Sequence, residues 1–353
     1  MDDEPARGSY PDPRILALSG VERMRAGFHG KFPFPPIYHL FGSRPVQASQ
    51  SSVTFAMPCH PWLQSDVGVF FAGTAALVAD GALGGAVMAS LGPGQIVVTS
   101  DLSFNFLRPI TTGSGQLIAR ARPIEVGRTV GLAEGLVEDA QGRIVAHCTT
   151  RCFIVTLDPP STADDIPDVD EPSFDTPDPY LRPVPPGSVD PSLYDDKPFL
   201  EVFAERVSGD RPPAPFAELF DIHHPVAEAG LFVCQMPATP WLTSPSATIY
   251  GGVLAYFADT ALTGAICTTL GAGEVIGPLD LKTQFIRPVW PDGRDLTMTA
   301  RVVHRGRSFV TAQGEITNAD GKTVALSTSS AVIRSGMSWA ALVVADDASA
   351  APD

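Results

Sequence analysis

Residues 250–265 read YGGVLAYFADTALTGA. Two glycines open it, an apolar run follows, and one carboxylate, Asp259, stands in the middle. The run predicts a long buried helix, in which an ionised carboxylate is costly unless something pairs with it. Taken alone, Asp259 reads as an Asp at a helix edge that reaches solvent or caps a turn. It is not alone. Residues 71–86, FAGTAALVADGALGGA, repeat the pattern, with Asp80 lying 179 positions before Asp259.

The same offset pairs Met57 with Met236, Trp62 with Trp241, Ser65 with Ser244, Gly73 with Gly252 and Gly92 with Gly271. It continues through Asp101 and Asp280, Arg108-Pro109 and Arg287-Pro288, Gly127-Arg128 and Gly306-Arg307, and Gly142 and Gly321. A register held without a gap over this distance is one domain present twice, not a solenoid of short repeats. The chain of 353 residues suits two units that each bury a core.

Apolar residues make up 44% and charged residues 18%, a globular composition. The net charge of −15 argues against nucleic acid or an anionic membrane surface as a partner. Residues 158–196 carry eleven acidic side chains against one Arg and are rich in Pro, so they read as an extended surface connector. The expected division is a first domain over 14–157, a linker over 158–200 and a second domain over 201–336. Residues 1–13 read as disordered, and the tail after Met337 is apolar and then acidic.

No apolar secretory segment stands at the start. The run 67–91 contains Asp80 and many small residues without basic flanks, which argues against a membrane span. Five cysteines without CxxC spacing predict reduced, buried thiols in a cytoplasmic protein and no zinc site.

Each copy reads as a β-branched strand (53–57 in the first), a long helix, and four β-rich stretches separated by turn signals. The prolines of KFPFPPIYHLFG predict an extended, turn-rich lead-in. The order is α+β rather than alternating βα units. His223-His224 reads as loop, and the two PW pairs as core.

A Gly-Gly helix start, a mid-helix carboxylate and a long antiparallel sheet resemble the hotdog fold. More narrowly, YGGVLAYFADTAL, LDLKTQFIRPV and NADGKTVA, with FAGTAALVADGAL, SDLSFNFLRPI and DAQGRIVA in the first copy, are similar to the PaaI-like (4HBT) acyl-CoA thioesterases. The resemblance implies two tandem hotdog domains forming a pseudo-dimer within one chain, with acyl-CoA at the seam between them. It implies no cofactor beyond the coenzyme A of the substrate, and room for a homodimer or higher assembly.

It also assigns residues. The catalytic carboxylate matches Asp259 and Asp80, and the oxyanion donor matches the Gly251 backbone N–H. Tyr250 stands where the family has His, with Gly252 beside it. Ser244 and Ser65 replace an Asn. A hydroxyl from the partner unit matches Thr99, against Pro278 in the other copy. On this basis Gly251, Ser244 and Thr99 surround Asp259 in a nearly complete set, whereas Asp80 has Ala72, Ser65 and Pro278. Arg108 and Arg287 are candidates for the phosphates of coenzyme A, with surface ion pairing as the plain alternative.

Elementary chemistry agrees with the assignment. Thioester hydrolysis needs an activated water or nucleophile and donors aimed at the developing oxyanion. A helix start rich in glycine exposes backbone N–H groups. The rival readings are an acyl-CoA-binding protein without turnover and a hydratase or dehydratase. The absence of His from both helices counts against the latter, and no GxSxG elbow supports a serine esterase.

Overall fold

The computed structural model describes residues 4–28, 32–158, 162, 174–185, 187, 189–208 and 211–341. The first copy runs α1 (Gly20–Phe28), α2 (Pro36–Phe41), β1 (Arg44–Ala48), β2 (Val53–Pro58), α3 (Thr74–Met88), then β3 (Gln95–Phe106), β4 (Gln116–Val126), β5 (Val130–Glu138) and β6 (Ile144–Thr156). After a short helix α4 (Leu193–Asp196), the second copy repeats the series. It runs α5 (Phe199–Val207), α6 (Pro215–Phe220), β7 (His223–Glu228), β8 (Leu231–Pro237), α7 (Gly251–Cys267), β9 (Glu274–Phe285), β10 (Asp295–Arg305), β11 (Phe309–Thr317) and β12 (Thr323–Ser335).

All twelve strands form one antiparallel sheet ordered β1-β2-β4-β5-β6-β3-β9-β12-β11-β10-β8-β7. The order is a palindrome about the β3–β9 junction, where Ser103 pairs with Lys282, its own counterpart at the offset of 179. An internal two-fold therefore passes through that pair, as in an isologous dimer interface. Helices α3 and α7 are apolar on every side and are buried against the sheet and each other.

Three expectations are corrected. The proline-rich lead-in is not extended throughout, because Pro35 and Pro36 sit where a helix needs no N–H and α2 follows. Each helix is preceded by two strands, with β1 and β7 added at the sheet edges. His223 and His224 lie on β7 rather than in a loop.

The N-terminal residues and the connector pack on one another. Arg7 is buried, binds Glu4 at 2.6 Å and Asp178 at 3.1 Å, and donates to the Thr176 carbonyl. Asp178 also meets His39 Nδ1 at 3.2 Å. Parts of 1–13 and 158–196 are thus docked around Arg7 and Asp178, while residues 1–3, 159–161, 163–173, 186, 188 and the acidic tail from 342 lie outside the described residues. Among the described residues no helix is long and apolar enough to cross a membrane. All five cysteines are free and buried.

Candidate active site at the seam between the copies

Each central helix delivers its carboxylate to the other copy's helix start. Asp259 Oδ2 accepts the Gly73 backbone N–H at 2.7 Å, and Asp80 Oδ2 accepts the Gly252 backbone N–H at 2.8 Å. The positive end of a helix favours the anion there. Glycine is what permits the approach. A Cβ on Gly73 would lie 2.7 Å from Asp259 Cβ, and one on Gly251 would lie 2.9 Å from Asp80 Oδ2.

Both carboxylates are buried, at 0% exposure for Asp259 and 6% for Asp80. Burial pushes each pKa from 3.8 up to about 6, while the backbone N–H and a threonine hydroxyl pull it back. The two take their hydroxyls from different places. Thr99 Oγ1 on β3 donates to Asp80 Oδ1 at 3.4 Å. Thr263 Oγ1, one turn beyond Asp259 on α7, faces Asp259 Oδ1 at 3.5 Å, longer than an ordinary O–H···O bond.

The expected grouping is therefore corrected. Gly251 and Thr99 belong with Asp80, not Asp259, because the seam crosses the helix starts while leaving Thr99 on its own copy. A β-bulge between Thr99 and Asp101 displaces one residue from the ladder and recurs at Pro278–Asp280. The bulge also lets Pro278 sit in a central strand without an N–H. Sequence reasoning passed over Thr263, although a threonine four residues after a helical Asp shares its face. The first copy has Gly84 there.

A cavity of about 320 Å³ opens beside the Asp259 seam. The α7 face carrying Thr260, Thr263, Gly264 and Cys267 forms its floor. Ser65 and Ala72 of the first copy and Pro278 of β9 also line it. The Ser65 hydroxyl is buried there without a partner. Arg108 and Arg334 stand exposed on its wall. Arg108 Nη1 also donates to the Ile144 carbonyl, and Arg287 clasps Thr323 in the same way in the second copy.

Tyr250 is the residue before the first turn of α7 and is buried beside Phe41, with ring centroids 6.5 Å apart, on the Asp80 side. Its ring packs in the core. Ser244 is part of a turn, accepting the Ser246 N–H at 3.3 Å, and Ala247 within it takes φ 57° where the first copy has Gly68. His224 lines the cavity among Phe203, Phe216 and Phe232, while His223 faces solvent beside Asp221. Strand alternation separates these adjacent histidines, and a loop reading hides it.

The family model of the thioesterase superfamily matches residues 67–146 and 247–325. None of the curated proteins matches the chain. Among solved structures, the tesB protein of Mycobacterium avium subsp. paratuberculosis is 15% identical at a TM-score of 0.53, over 85% of this chain and 98% of that one. A hotdog-fold protein of unknown function from Alicyclobacillus acidocaldarius is 17% identical at 0.50, over 83% and 97%. The PaaI protein of E. coli, from the phenylacetic acid degradation operon, is 31% identical over 33% of this chain and 86% of that one, with a TM-score of 0.30. Both matched segments begin at the approach to a central helix and end just inside the last strand of that copy, so the chain is a tandem pair of hotdog domains, each belonging to the thioesterase superfamily.

Proposed function

We propose that the protein is an acyl-CoA thioesterase and that Asp259 is its general base. The observation that carries this reading is a buried carboxylate bound to a helix start, its pKa raised by burial, with its helical neighbours Thr260 and Thr263 lining a cavity that can hold an acyl group. Asp80 has an equivalent amide and a hydroxyl at a similar distance, and the cavity is what favours Asp259.

In this mechanism Asp259, positioned by Thr263 and Gly73, takes a proton from water as the water oxygen bonds to the thioester carbon. The Ala72 backbone N–H at the approach to α3 receives the oxyanion. The C–S bond then breaks, and Asp259 passes its proton to the departing sulfur of coenzyme A. Arg108 faces the anionic end of the substrate. A base with a pKa near the working pH combines adequate ionisation with adequate driving force.

A second reading, acyl-CoA binding without turnover, is favoured by the complete burial of Asp259. Thiol release from a panel of short, medium, long and aromatic acyl-CoAs separates the two. Turnover supports the hydrolase. Saturable binding with no release from any member establishes the binding protein.

A further inference from the structure

The two copies treat the helix that precedes their β-strands differently. Helices α1 and α5 begin at equivalent positions, Gly20 and Phe199. In the first copy Gly20 rests directly on the end of α3. Its N–H donates to the Leu91 carbonyl at 2.9 Å, and a Cβ there would lie 1.7 Å from the Met88 carbonyl oxygen. Only glycine allows that seat.

Phe199 cannot take the same seat against Cys267, the counterpart of Met88. The anchor before the helix has also slipped by one residue. Gly94 donates to the Leu16 carbonyl at 2.7 Å, whereas its counterpart Gly273 donates to Tyr194, one position short of the equivalent Asp195. One more residue thus separates anchor and helix in the second copy. Phe199 instead stacks between Tyr194 and Phe203, with centroids 5.6 and 5.4 Å away. Phe203 continues the row to Phe232 at 5.3 Å. Cys267, Phe199, Phe203 and Phe232 all line the cavity at the Asp259 seam, as does Trp339.

We propose that α5, propped off the central helix by Phe199, is the element that sets acyl-group specificity at the Asp259 seam. The acyl group lies along the Thr263–Gly264–Cys267 face of α7 beneath the aromatic row, with its thioester end toward Asp259. The class of acyl group admitted is apolar, a medium alkyl chain or an arylacyl group, because the far end of the cavity is lined by aromatic rings and a thiol. Arg108 and Arg334 meet the phosphates of coenzyme A. This inference rests on the site reading above, and its test separates failure of one from failure of the other.

The test compares acetyl-, hexanoyl-, decanoyl- and phenylacetyl-CoA as substrates of the full chain. Binding is followed in parallel with a non-hydrolysable decanoyl-CoA thioether through the fluorescence of Trp339, with Trp339→Phe as the blank. Cys267→Phe places a ring inside the far end of the cavity. It is expected to lower kcat/KM for decanoyl- relative to acetyl-CoA by about tenfold or more, and to weaken thioether binding to a similar degree. Phe203→Ala is expected to move the optimum toward longer chains. Met88→Phe, the same change in the first copy, is expected to leave the chain-length profile as in wild type.

An unchanged profile in both Cys267→Phe and Phe203→Ala, with turnover and melting temperature retained, would overturn the inference. So would a profile that Met88→Phe alters instead. If no substrate turns over but the thioether binds and Cys267→Phe weakens it, the cavity assignment stands and the hydrolase reading falls.

Discussion

At the scale of single residues, desolvation raises the pKa values of two buried carboxyls, Asp80 and Asp259, to about 6. A base of this kind predicts that kcat/KM rises with pH and levels off above about pH 6, measured as thiol release from pH 4.5 to 8. The same shift has a consequence for stability. The fold favours the protonated acid, so the contribution is fully present below about pH 3.8 and is lost as pH rises through about 6. The rise from 3.8 to about 6 corresponds to roughly 3 kcal/mol for each carboxyl. Asp80→Asn should therefore flatten the decline in chemical stability between pH 4 and 7. Equal pH slopes in variant and wild type would contradict the assignment. Both aspartates were legible in the sequence, because a lone acid in an apolar run is conspicuous and the duplication shows it twice. Which glycine faces which aspartate was not, since a repeat gives equivalence without giving the crossing of the seam. Thr99 was misplaced for the same reason.

At the scale of elements, each helix start is built for close approach. Gly73→Ala would drive a methyl into Asp259, whose Cβ lies 2.7 Å from the site of the added carbon. It is expected to lower turnover by about a hundredfold, the lower range for losing a positioned base. Gly251→Ala crowds Asp80 instead and is expected to cost less activity. The reverse order of losses would place the working seam on the other side. The long helices and the four strands after each were readable from composition and turn signals. Helix α2 was not, since proline signals a break and a helix start equally well. Strand β1 was not, because RPVQA is short, carries a proline and lies at a sheet edge.

At the scale of the whole molecule, the two copies share one sheet through β3 and β9 and one core through α3 and α7. Neither copy buries its helix without the other. Denaturant unfolding should therefore be one cooperative step, with far-UV dichroism and tryptophan fluorescence changing together. Two separated transitions would show that the copies are independent. The pairing of copies was legible from the unbroken offset of 179. Their inequality was not, because it arises from Phe199 in place of Gly20 and a one-residue slip at Tyr194, a change in seating that the aligned repeat conceals.

Whether Asp259 is the working base is decided by thiol release from Asp259→Asn and Asp80→Asn, each against wild type on the substrate that wild type turns over fastest. Asp259→Asn is expected to lose turnover by about a hundredfold or more while Asp80→Asn retains most of it. Retained turnover in Asp259→Asn, with loss in Asp80→Asn, would contradict it and move the reaction to the seam formed by Gly252 and Thr99.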